Sequence, residues 1–421
     1  MAKVNLPVLS ADGRLLFLTR ILRLFGYGAV SVILVIYLAY LGLSQQQIGW
    51  LLALTLVGDA VISLGISLIA DSAGRRRMLR VGALLMMFAG ILFALTDNFV
   101  FLLLAAIIGV ISPSGNEVGP FLAIEQASLS HIVADDKRTG VFAWYNLAGF
   151  GATALGALSV GALFKILSGV GINLLVGYKM ILVIYALTGL ALWFLFGQVS
   201  DKVEVSPTPR SLNLALLANS RLGIHRSRAM VLRLSALFAL DAFGGGFILQ
   251  SLLAYWFHLR FGADMMVLGG IFFGANLLAG ISSLLAARLA KRFGLVNTMV
   301  FTHLPSNVLL ILIVFMPDLT WAVIVFLVRC TISQMDVPTR QAYVMAVVTP
   351  SERSAAGGIA NVARTLGTSA APLLAGPLLA NPALVGVPII LAGGLKIVYD
   401  LLLFRDFRKI KPSEELLRNK L

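Results

Sequence analysis

The residues best suited to chemistry in this chain are carboxylates and guanidiniums set inside long apolar runs. Glu117 lies in GVISPSGNEVGPFLAIEQ (109–126), a stretch interrupted by Pro113, Gly115, Gly119 and Pro120. Asp336 lies in MDVPTRQ (335–341); each acid precedes a valine, with a proline one or two residues further on. Asp59, Asp241, Arg329 and Arg364 are ionisable residues in comparably apolar surroundings. An ionisable group at bilayer depth is costly and usually faces a cavity or a partner charge. Desolvation works against a charged carboxylate, which makes Glu117, Asp336, Asp59 and Asp241 candidates for holding a proton or a substrate. A guanidinium presents two parallel donors to a carboxylate or phosphate, so Arg329 and Arg364 are candidate anion contacts. The equal alternative is that they pair with Asp336, Asp241 or Glu117. Tyr27, between Gly26 and Gly28, and Asn146 and Asn361 add neutral polar contacts. Arg20 and Arg23 stand near enough to one end of the first run to extend their charges to the interface. Glu125 and Arg340, just before Gln126 and Gln341, fit a gate network with Arg138 and Arg353.

The elements that position these residues follow from composition. The chain has 421 residues, 59% hydrophobic and 12% charged, with a mean hydropathy of +0.94. Soluble domains carry about 25% charge. Apolar runs of about 20 residues, the length that crosses a bilayer, recur throughout. Twelve spans are read near 15–41, 48–70, 78–96, 99–122, 141–164, 178–197, 232–257, 265–287, 296–316, 319–341, 355–380 and 384–404. The expected fold class is therefore an all-α integral membrane protein. The polar start, MAKVNLPVLSADGR, does not read as a cleavable signal peptide.

Alternate connections differ sharply in charge. One set holds Arg75, Arg76, Arg77 and Arg80, then Lys137 and Arg138, then the bases of 198–231, Arg288, Lys291, Arg292, Arg353 and a basic tail. The other holds Lys165, Lys179 and Arg260. Basic loops stay cytoplasmic, which places both termini inside an inner or plasma membrane. The net charge of +14 is thereby accounted for by topology, and a nucleic-acid partner is not expected. Residues 1–197 form one expected six-helix bundle, 198–231 a cytoplasmic loop, 232–404 a second bundle and 405–421 a cytoplasmic tail. Within the loop, SLNLALLANS has the pattern of a short surface helix.

The two halves resemble each other. A shift of 220 places Gly49 on Gly269, Asp71 on Lys291 and Gly74 on Gly294. A shift of 215 places Gln126 on Gln341, Arg138 on Arg353, Asn146 on Asn361 and Thr153 on Thr368. The turn after the second span, SLIADSAGRRR (67–77), resembles the motif between spans two and three of the major facilitator superfamily. Asp71, Gly74, Arg75 and Arg76 match it, while Ser67 and Ser72 replace a glycine and an arginine. The resemblance implies two pseudo-symmetric bundles of six helices that rock about a central site. It also makes Asp71, Gly74, Arg75 and Arg76 a cytoplasmic gate. Gly74 would allow a tight turn with positive φ. Two features of the superfamily's drug exporters are absent: an arginine in the outer half of span four and a Gly-Pro pair in span five. Span five, NLAGFGATALGALSVGALF, has glycines at spacings that let helices approach closely.

The function implied is secondary transport of a small organic anion or amphipathic metabolite, proton-coupled and with export slightly favoured, by a monomer. The rivals are a cation or drug exporter, in which every arginine is paired, and a transport-inactive sensor. No phosphate-binding loop ending in Gly-Lys-Ser/Thr occurs. His131, His225, His258 and His303 are scattered and Cys330 is the single cysteine. Neither a metal, a cofactor nor an enzymatic nucleophile is therefore expected.

Overall fold

The computed structural model describes residues 9–204, 227–349, 352–408 and 410; the side chains of 135, 136, 139 and 354 are not included. All the regular structure among these residues is helical. Most of the central loop, including SLNLALLANS, and most of the basic tail lie outside the described residues.

Each of the twelve expected spans contains helix, continuous in some and interrupted in others. The first three are α1 (Ala11–Tyr40), α2 (Gln45–Ala73) and α3 (Arg75–Leu95). Span four consists of α4 (Phe99–Ile108) and α5 (Phe121–Ile132) with an irregular break between them. Spans five and six are α6 (Asp135–Gly169) and α7 (Leu174–Gly197). Span seven is split into α8 (Arg228–Gly246) and α9 (Gln250–Phe261), and spans eight and nine are α10 (Met265–Phe293) and α11 (Leu295–Ile313). Span ten divides into α12 (Leu319–Cys330) and α13 (Asp336–Val347); α14 (Arg353–Ala380) and α15 (Val387–Phe407) complete the set. Nine helical segments among the described residues are long and apolar enough to cross a membrane, and α4 and α12 are shorter apolar helices.

Short polar residues fix the helix starts. Ser44 and Gln47 form a reciprocal capping box at α2, and Asn98, Asn173 and Asp318 cap α4, α7 and α12. Each cap occupies a backbone N–H that the first helical turn leaves without a partner.

The chain forms two compact units. The first contains the residues up to 209 with 249–277, and the second contains 210–248 with 278 onward. In the first unit α1 packs on α6 and α3 on α7; in the second α8 packs on α14 and α11 on α15. In both, the first span of a half thus packs on its fifth and the third on its sixth, the arrangement expected of an internal repeat. The close approaches also correspond. A Cβ on Gly28 would collide with the Thr153 carbonyl oxygen, and one on Gly246 with that of Thr368. Thr153 and Thr368 are the pair that the sequence repeat superposes. Small residues of spans one and seven therefore bring their backbones against spans five and eleven, as small residues do at membrane helix interfaces.

Residues 249–277 join the first unit through specific polar contacts. Gln250 Nε2 donates to Ser31 Oγ (2.8 Å), and Gln250 Oε1 accepts from Asn276 Nδ2 (3.0 Å). The Ser251 N–H donates to the Pro113 carbonyl (3.0 Å).

Candidate functional site

The break in span four is the framework of the first-unit site. Gly115 and Gly119 adopt φ of +70° and +79°, which side chains with a Cβ rarely tolerate. Non-helical backbone in a membrane protein must find internal partners for its carbonyls. Tyr185 OH donates to Val110 O (2.6 Å) and Tyr27 OH to Val118 O (3.2 Å). Ser112 Oγ donates to Asn116 O (2.7 Å), and Thr153 Oγ1 to Gly115 O (3.3 Å). The Gly119 N–H donates to Asp59 Oδ1 (2.5 Å), which also accepts from Ser63 Oγ (3.3 Å). Tyr27 is thus committed to the frame, its side chain fully buried.

This frame places Glu117 beside α1. Arg23 Nε donates to Glu117 Oε1 (2.7 Å), and Arg23 Nη1 and Nη2 grip the two Glu125 oxygens at 2.9 and 2.6 Å. Glu125 also accepts from Thr19 Oγ1 (3.0 Å) and from the Tyr145 hydroxyl. Arg20 Nη1 lies 3.0 Å from Glu117 Oε2, and Arg20 Nη2 donates to Asn146 Oδ1 (3.3 Å). Arg23 stacks over Phe121 and Arg20 over Tyr145, at 4.5 and 4.2 Å from the ring centroids. Arg23 and Glu125 are completely buried, whereas Glu117 keeps 11% of its side chain exposed. Two guanidiniums therefore match two glutamates, and Asp59 meets no cation among the described residues.

The second unit holds a comparable cluster around Asp241 on α8. Lys396 Nζ donates to Asp241 Oδ1 (2.6 Å), while Arg340 Nη1 and Arg364 Nη1 reach Oδ2 at 2.9 and 3.3 Å. Arg340 also holds Asp336 (3.0 Å). Asp400 pairs with His303 Nδ1 (2.9 Å) and accepts from Asn307 Nδ2 (3.0 Å), with His303 Nε2 3.8 Å from Asp241. Three acidic side chains, Asp241, Asp336 and Asp400, thus face three basic ones, Arg340, Arg364 and Lys396, beside His303. Arg364 stands apart, with 33% of its side chain exposed against 7% for Arg340 and 10% for Lys396.

At the turn between α2 and α3, Gly74 has φ +97°, as its sequence position implied. Arg75 Nε donates to Asp71 (2.8 Å) and Nη1 to Val203 O (3.3 Å), while Arg76 Nη1 donates to Val199 O (3.1 Å) and lies 3.1 Å from Asp201. Both Glu204 oxygens accept from the first N–H groups of α3.

Several sequence expectations need revising. Arg20 and Arg23 do not extend to an interface: they turn inward, because buried Glu117 and Glu125 lie within reach and compensate them. Glu125 and Arg340 belong to the two buried clusters and are not brought to Arg138 and Arg353. Arg138 Nη2 instead donates to Ser130 O (2.6 Å), and Arg353 is exposed at the start of α14. Asn361 is likewise exposed on α14. Arg329 makes no ion pair among the described residues, and its buried Nε has no hydrogen-bond partner. Sequence reasoning missed Thr19, Tyr145, His303, Asn307, Lys396 and Asp400. The signal for His303, Lys396 and Asp400 was present, since each is an ionisable residue inside an apolar span.

A chain of helical spans with repeated packing and charged clusters in each unit has the form of a membrane transporter. The profile described as Major Facilitator Superfamily matches residues 16–372, and the chain belongs to that family of membrane transporters of small molecules. It is 29% identical over 425 residues, 95% of each chain, to the Uncharacterized membrane protein YJR124C of Saccharomyces cerevisiae. Among solved structures it resembles a bacterial homologue of the human lysosomal transporter Spinster, with a TM-score of 0.70 and 16% identity, covering 97% of this chain and 99% of that one. It also resembles the nucleoside transporter NupG, with a TM-score of 0.68 and 14% identity over 95% of this chain and all of the other. At these identities the structural likeness concerns the fold.

Proposed function

We propose that the chain is a proton-coupled secondary transporter of small organic anions or amphipathic metabolites, working by alternating access with both termini in the cytoplasm. The observation that carries this reading is the arrangement at Asp241. Three cations converge on one carboxylate, and one of them, Arg364, is partly exposed and has the longest contact. An anion can take Arg364 while Arg340 and Lys396 continue to neutralise Asp241. A guanidinium suits this task because it binds carboxylate or phosphate with two parallel donors. The coupling proton is assigned to Asp59, a carboxylate well inside a span of the first unit that no cation among the described residues compensates. A proton there would alter the Gly119 hydrogen bond and hence the break that carries Glu117. Each cluster is built within one chain, so a monomer suffices.

The test is transport by proteoliposomes under an imposed pH gradient, with a pool of organic anions and cations. Wild type should move an anion, and the sidedness of the assay gives the direction. Arg364→Gln should abolish anion movement, and Asp59→Asn should retain exchange while losing its response to the gradient. Movement of a cation that Arg364→Gln leaves intact would overturn the anion assignment in favour of a cation exporter.

A further inference from the structure

We propose that the first unit carries a binding site for the headgroup of an anionic phospholipid, between the start of α3 and the end of α7. A cleft of ≈ 380 Å³ opens there, lined by Arg77, Arg80, Val81, Leu84, Trp193 and Glu204 among others. The four-arginine run in this region is divided in its contacts. Arg75 and Arg76 are held by Asp71, Asp201 and the backbone of 199–203. Arg77 and Arg80 form no ion pair with any described residue. Arg80 lies over the Trp193 ring, 4.0 Å from its centroid, and its buried Nε lacks a hydrogen-bond partner. The one carboxylate in the cleft, Glu204, is occupied by the N–H groups of Arg75 (2.7 Å) and Arg76 (3.0 Å). It therefore leaves both remaining guanidiniums available to an outside anion.

The surface beyond the cleft favours a lipid as the source of that anion. Leu84, Phe88, Ile91 and Leu95 follow Arg77 and Arg80 at helical spacing, and all four are exposed. Leu84 to Leu95 rises roughly 16 Å, close to the ~15 Å of one leaflet of a 30 Å hydrocarbon core. One α3 face thus offers cations at the end and an apolar track of acyl-chain length below them. Half-buried Trp193 is an amphipathic ring of the kind found at headgroup level. Basic pockets between helices on the cytoplasmic side bind anionic lipid headgroups. The leaflet that supplies the lipid rests on the proposed orientation; the binding itself does not.

The experiment loads purified full-length protein with mixed phosphatidylglycerol and phosphatidylcholine and counts, by native mass spectrometry, the lipids retained after washing. Two guanidiniums, each worth about fivefold near a charged surface, predict a preference for phosphatidylglycerol of about thirtyfold. Arg77→Gln/Arg80→Gln should bring the ratio close to one, and Arg77→Lys/Arg80→Lys should keep most of it. If the double glutamine variant is not recovered as monodisperse protein, each single glutamine variant should lose about fivefold. Brominated phosphatidylglycerol should quench wild type more than brominated phosphatidylcholine, with the difference absent in Trp193→Phe. Equal retention of the two lipids by wild type, or an unchanged ratio in the glutamine variants, overturns the proposal. Displacement of the lipid by an equal concentration of inorganic phosphate also overturns it, because the site would then read phosphate alone.

Discussion

Replacing Arg23 by glutamine should be among the most damaging single changes within the first unit. The wild-type guanidinium is wholly buried and makes three hydrogen bonds to two carboxylates, at 2.7, 2.9 and 2.6 Å. Glu117 would keep Arg20 at 3.0 Å. Glu125 would be left completely buried, with only the Thr19 and Tyr145 hydroxyls to hold its charge. Removing one partner of a buried ion pair costs about 3–5 kcal/mol, because the other charge remains without compensation. The loss at Arg23→Gln is expected in that range. Glu117→Gln should cost less, since Glu117 is partly exposed and its removal leaves Arg23 on Glu125.

The assay is equilibrium unfolding of the purified protein in mixed micelles, which reads stability independently of transport. The decisive comparison is Arg23→Gln/Glu125→Gln. If the cost arises from a stranded Glu125 charge, the double variant should recover at least about 2 kcal/mol relative to Arg23→Gln, within the range seen for coupled neighbours. A double variant whose loss equals the sum of the two single losses would refute the reasoning. So would an Arg23→Gln protein as stable as wild type.

Two further changes test the frame around the clusters. Tyr185→Phe removes the donor to Val110 O (2.6 Å) and should cost about 1–3 kcal/mol, as expected for a buried acceptor left without a partner; the same unfolding assay measures it, and no loss would show that the break satisfies itself otherwise. Gly246→Leu places a side chain against the Thr368 carbonyl and should push α8 from α14, lowering the yield of monodisperse protein by chromatography, whereas Gly270→Leu, where a Cβ meets nothing within 4 Å, should leave the yield unchanged.

Much of this architecture was legible because a membrane span is written locally. Length and hydropathy locate a span whatever it packs against, and prolines with glycines announce the break around Glu117. The break between α8 and α9 carried a similar sign, Gly244-Gly245-Gly246, yet no proline or charge drew notice to it. Charge partners were harder to read, because they depend on how the spans are brought together. The distance of Arg20 and Arg23 from the end of their helix says nothing of glutamates about a hundred residues away. Lys396 and Asp400 are spaced i and i+4 inside LAGGLKIVYDLLLF, so they share one face of α15. That shared face was readable but its partners were not, since Lys396 reaches Asp241 and Asp400 reaches His303, each on another span.

The two clusters bear on how the repeat has diverged. In the first unit the cations Arg20 and Arg23 belong to the first span, and the carboxylates Glu117 and Glu125 to the fourth. In the second unit the carboxylate Asp241 belongs to the first span of the half, and the cation Arg340 to the fourth. Glu125 and Arg340 are equivalent under the shift of 215, so the same helical position carries opposite charge in the two units. What the repeat preserves is therefore an ion pair joining first and fourth spans, with its polarity reversed. Such a reversal needs both partners to change, since either change alone would bury an unmatched charge. The units differ in a further way: the first holds a span acid, Asp59, that no cation among the described residues compensates, and the second a partly exposed guanidinium, Arg364, that shares Asp241 with Arg340 and Lys396. The proton site and the anion site proposed above draw on these two differences, which two identical halves would not supply.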